Sequence, residues 1–140
     1  MMTNTEKSLN SLQPEEVVNR YYKALNSGDL ESIKCLMTQQ SYYMTLESLG
    51  LKVAFKNLSF KHELENMEED KVSLQKVERA LSEELLSRNN SRKIVIGKIE
   101  PNGSSRATVH YTEDRKVKNL YFSKEKNGWK INYYAGRRVD

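Results

Sequence analysis

Apolar residues recur at three- and four-residue spacing early in the chain and at every second residue late in it. Val17, Val18, Tyr21, Tyr22 and Leu25 form one stripe of an amphipathic helix. Pro14 suits the first helical position, and Glu15 and Glu16 suit the positive helix start. Gly28 supplies a left-handed stop, and Asp29 can cap a second helix whose buried side is Leu30, Ile33, Leu36 and Met37. Two helices joined by so short a link must pack on each other.

Residues 38–69 carry a mixed pattern. Tyr42, Leu46, Leu49 and Val53 fit a helical face that Gly50 interrupts, whereas Leu51, Val53 and Phe55, then Leu58 and Phe60, alternate as strands do. The reading is helix before Gly50 and open from there to residue 69. Beyond Asp70, Leu74, Val77, Leu81 and Leu85 share a narrow stripe, too short for a coiled coil, so a helix packed on a sheet is expected.

The last third alternates. "KIVIGKIE" ends at Pro101-Asn102-Gly103, a turn signal. In "SRATVHYTED", Ala107, Val109 and Tyr111 face one way and Thr108, His110 and Thr112 the other. "KVKNLYFSKE" leads to Asn127-Gly128, a hairpin signal, and "GWKINYYAG" closes the set. Turns this tight leave no room for crossover helices, so the sheet is antiparallel and the class is α+β, with N-terminal helices on a curved sheet. Residues 1–12 read as a flexible lead-in and 13–136 as a single domain.

Composition narrows the function classes. Apolar residues make up 37% and charged residues 30% of 140, which is polar but globular. No apolar run approaches the roughly 20 residues of a membrane span, and "MMTNTEKSLNSLQPEE" has no apolar signal core. Cys35 is the only cysteine, which excludes an intramolecular disulfide and fits a reducing compartment. The expected location is therefore cytoplasmic, with no membrane contact. A net charge of +4 invites a nucleic-acid reading, but 23 basic residues stand against 19 acidic ones in mixed-sign stretches. Arg115, Lys116, Lys118, Arg137 and Arg138 have no glycine-rich aromatic strand beside them, so no nucleic-acid partner is expected.

"PEEVVNRYYKALNSGDLESIKCLM", followed far later by "ATVHYTED" and "LYFSKEKNGWKINYY", resembles the nuclear transport factor 2-like superfamily, an uncharacterised branch of that cystatin-like fold. The matching parts are Pro14 to Met37 and about Ala107 to Tyr134. The middle departs from typical members, which place a strand hairpin and one shorter helix there. The resemblance implies a cone with a cavity between the helices and the concave sheet face, and members often pair through the outer face. The superfold hosts both enzymes and inert binding modules.

"VVNRYYKALNSGDL" is also similar to the first helix of ketosteroid isomerase, which would make Tyr21 an oxyanion donor. That chemistry needs a carboxylate base, which the family places after the second helix; "TQQSYYMT" stands there without an acid. Its second acidic donor would fall near Asn119 to Tyr121, where none is acidic. Two of three parts are missing. Glu47 and Glu63 read as solvated charges, and Tyr22 as a core ring whose hydroxyl finds a partner. His62 and His110 lack metal-ligand spacing, Cys35 reads as a buried small hydrophobe, and no phosphate-binding loop is present.

These readings converge on a non-catalytic small-molecule or partner-binding module that needs no cofactor and no metal. Tyr21, Tyr111, Trp129, Ile131 and Tyr133 are the candidate pocket lining, for a small apolar or aromatic ligand. A homodimer is expected through the outer sheet face, with His110, Leu120, Phe122 and Tyr134 at the contact. The alternatives are a cofactor-free acid–base enzyme using the same pocket and a structural subunit docking through its sheet.

Overall fold

The computed structural model describes residues 11–88 and 92–136. Helix α1 (Pro14–Ser27) begins as its sequence dictates, with the Glu16 carboxylate accepting from the Gln13 backbone N–H at 3.0 Å. It ends at Gly28, whose φ of 68° reverses the chain, and the Asp29 N–H returns to the Ala24 carbonyl. Asp29 then caps α2 (Leu30–Cys35) by accepting from Ser32. Leu12, within the expected lead-in, is buried in the core, while residues 1–10, Arg137 and Arg138 lie outside the described residues.

The ambiguous middle is helical. Thr38 caps α3 (Gln39–Lys56), which runs through Gly50, and Asn57 turns the chain directly into α4 (Leu58–Asn66). Gly50 is buried because Leu64 and Phe60 of α4 press against it; a Cβ there would lie 3.1 to 3.2 Å from both. The period-2 pattern of residues 51–60 thus arises where two helices meet at one residue. Helix α5 (Lys71–Arg88) buries Val77, Leu81 and Leu85 against α1, α3 and α4, so the expectation that it packs on the sheet is corrected. A second helical layer supplies that apolar surface. Tyr42 of α3 donates to Glu78 of α5, and Ser82 of α5 donates to the Gly28 carbonyl.

Strands β1 (Ile94–Pro101), β2 (Arg106–Glu113), β3 (Lys116–Glu125) and β4 (Gly128–Ile131) form an antiparallel sheet in sequence order. The protein is therefore α+β: the described residues form five helices and a four-stranded antiparallel sheet, with α1 lying on the sheet and α3, α4 and α5 in the helical layer beyond it. Met37 bridges to Ile131, and Ile131 and Leu36 share a backbone hydrogen bond, so the end of α2 is joined to the edge strand β4. A final 3-10 turn, Tyr133–Gly136, follows.

Register decides which side chains reach the core. The β2–β3 turn is only Asp114 and Arg115, both at positive φ, and it pairs Val109 with Leu120 and Ala107 with Phe122. Residues paired across a ladder share a face. Leu120 and Phe122 therefore sit inside with Val109, at 4% and 0% exposure, and not outside with His110. This corrects their assignment to a subunit interface. "KVKNLYFSKE" has apolar residues at both parities, so only the turn geometry could place them.

Candidate functional site

Several ionisable side chains meet below the surface between α1 and the inner sheet face. Tyr21 and Tyr22 are adjacent in α1, both buried, with rings edge-on at 5.1 Å between centroids. Consecutive helical residues diverge by about 100°, so the two hydroxyls enter different networks.

Tyr22 reaches the sheet. Its hydroxyl lies 2.7 Å from that of Tyr111, and either phenol can donate in this pair. Glu113, two residues further along the same strand, lies close enough for its charge to act on both phenols. Lys118, directly across the ladder from Tyr111, pairs with Glu113 at 3.2 Å. The result is a buried phenol pair beside a carboxylate that a lysine holds.

Tyr21 turns the other way, toward Tyr133. The Tyr133 hydroxyl lies 3.3 Å from Thr45 Oγ1, which itself donates to the Ser41 carbonyl at 2.9 Å. Ser41 Oγ accepts from the Tyr133 N–H at 3.0 Å. The helix start "TQQSYYMT", which carries no acid, thus anchors the C-terminal turn through small hydroxyls.

Burial pushes the phenols of Tyr21, Tyr22 and Tyr111 above the ordinary tyrosine range. For Tyr21 the next cause is Tyr133, and for Tyr22 the bond to Tyr111 and the nearby Glu113. For Tyr111, the Tyr22 bond works against the rise and the Glu113 charge adds to it. All three stay neutral donors near pH 7. Among the described residues no buried side-chain nitrogen or oxygen lacks a hydrogen-bond partner.

Of the five candidate lining residues, Tyr21, Tyr111 and Ile131 are buried, and Trp129 and Tyr133 are half-buried against the same core. The structure sets Tyr21 beside Tyr22, which meets Tyr111, while Trp129 sits at the sheet edge with Lys124 above its ring. Two cavities lie elsewhere. A groove of about 770 Å³ is bordered by Arg20, Lys23, Asp29, Glu31 and Cys35, and one of about 230 Å³ by Lys34, Met37, Tyr42, Tyr43 and Leu74. Cys35 is exposed there, which corrects its reading as buried: Ile33 and Leu36 take the inward side of the short α2. Glu47 is exposed, and Glu63 pairs with Lys76 of α5.

Of the expected interface residues, His110 is on the outer face and Tyr134 is exposed. The His110 ring nitrogens lie 2.8 Å from Asn119 Oδ1 and 2.8 Å from Glu100 Oε1, spanning three strands. Among the described residues no group of three His, Cys, Asp or Glu side chains is arranged to hold a metal ion. Glu113 is the member that sequence reasoning missed; its signal was its position two residues from Tyr111, hence on the same strand face. Compared with known protein families, with curated proteins and with solved structures, the chain finds no match.

Proposed function

We propose that this chain is a non-catalytic partner-binding module of the nuclear transport factor 2-like kind, working in the cytoplasm. The observation that carries this reading is the closed tyrosine network. An oxyanion site needs a donor aimed at an unoccupied position in a water-excluded cavity. Here the hydroxyls of Tyr22 and Tyr111 meet each other, that of Tyr133 meets Thr45, Tyr21 is buried beside Tyr22, and neither described cavity is lined by any of the four. A filled interior favours contacts made on the outside of the molecule.

The test is a titration with an apolar fluorescent probe, read through Trp129, together with a steroid double-bond isomerisation assay. The reading expects no saturable binding by the folded protein and no turnover. Stoichiometric binding that weakens in Tyr21→Phe would sink it.

A second reading rests on Glu113. Its side chain is only 15% exposed, and Lys118 pairs with it at 3.2 Å beside the buried phenols. A carboxylate in such surroundings is what an acid–base enzyme would want as its base. Turnover lost in Glu113→Gln with the fold intact would favour that enzyme.

A further inference from the structure

The corner between α3 and α4 exposes its largest apolar side chains. Phe55 is 89% exposed and Leu58 81%, and they bracket Asn57, the single residue between the two helices. Leu51, one turn back on α3, is 56% exposed. Side chains this exposed stand out from the surface and do not line a groove. From Leu51 to His62 the chain carries Lys52, Lys56 and Lys61, all exposed, and no acid. The next carboxylate along, Glu63, is held toward α5 by Lys76 at 3.8 Å, and the nearest upstream one, Glu47, lies a helical turn before Leu51.

An apolar tip with a rim of lysines has the chemistry of an interfacial anchor: apolar groups enter the acyl boundary while ammonium groups meet lipid phosphates. A second copy of the chain would bring the same three lysines against themselves. We propose that the α3–α4 corner docks this protein on an anionic lipid surface, with Phe55 and Leu58 inserted and Lys52, Lys56 and Lys61 at the headgroups. No helix among the described residues is long and apolar enough to cross a membrane, so the contact is peripheral. The proposal rests on the binding-module reading and names the partner.

Vesicle flotation of the full chain tests it, using phosphatidylcholine alone and an equal mixture with phosphatidylglycerol. Each lysine near an anionic surface is worth about fivefold in partitioning, so three predict roughly hundredfold tighter binding to the mixed vesicles. Raising salt from about 0.1 to about 1 M shortens the screening length from about 10 to about 3 Å and should release the protein. Phe55→Ser with Leu58→Ser should lose at least about tenfold in binding. Because both side chains are exposed, circular dichroism and thermal midpoint should be unchanged. No flotation, or equal flotation with both vesicles, overturns the proposal. So does a vesicle-free dimer that this double variant abolishes, since the tip would then be a protein contact. Saturable binding of the apolar probe inside the protein would instead sink the parent reading, so the two failures are distinguishable.

Discussion

The hydroxyls of Tyr22 and Tyr111 lie 2.7 Å apart across the boundary between the first helix and the second strand, 89 residues apart in sequence. Tyr22→Phe and Tyr111→Phe each remove this one neutral hydrogen bond and should each cost about 1 kcal/mol. The two losses should not add, because either change alone removes the shared bond. Urea denaturation of both variants and of the double variant checks this. Strictly additive losses would mean that the two hydroxyls do not interact.

Phe122 is fully buried and paired with Ala107 and Ile131 on the inner face. Phe122→Glu would bury an unpaired carboxylate and should abolish cooperative folding. Val117 is on the other face, 81% exposed, so Val117→Glu should change stability by no more than about 0.5 kcal/mol. Sedimentation of Val117→Glu beside the parent is the proper probe of pairing through the sheet. A folded Phe122→Glu protein would contradict the register.

Gly28 meets two constraints at once. Its φ is 68°, and a Cβ there would lie 2.8 Å from the Ser82 carbonyl oxygen and 2.9 Å from Leu86 Cγ. Gly28→Ala should therefore destabilise by more than the roughly 1 kcal/mol of the left-handed backbone alone, because α5 must move as well. A thermal midpoint within error of the parent would show that α5 does not rest on the α1–α2 break.

The helix starts and stops near residues 14 and 28 and the hairpin turns were legible because each depends on local backbone chemistry: Pro14, Gly28, Asp29, Asn127 and Gly128. Tertiary choices were not. Whether Phe122 faces in or out depends on a two-residue turn at Asp114 and Arg115, which nothing in the apolar pattern specifies. Whether residues 51–60 are helix or strand depends on α4 folding back over Gly50, a contact between segments that neither segment encodes alone. The tyrosine site was half visible. Tyr21 and Tyr111 showed as inward residues by periodicity, but the meeting of Tyr22 with Tyr111 and of Tyr133 with Thr45 follows from how the helices lie across the strands.

The closed interior predicts a particular response to alkali. Burial, first of all, raises the phenols of Tyr21, Tyr22, Tyr42 and Tyr111 above the ordinary value of 10.0. Their folded-state values exceed their unfolded ones, so the stability they contribute is fully present below pH 10 and is lost as pH rises beyond it. Tyrosinate absorbance of the protein's eight tyrosines, followed with circular dichroism through the alkaline range, measures this directly. The account predicts that the signal of these four appears only together with loss of structure. If these four ionise near pH 10 while the fold persists, water reaches the interior, and the claim that the tyrosine network is closed is contradicted.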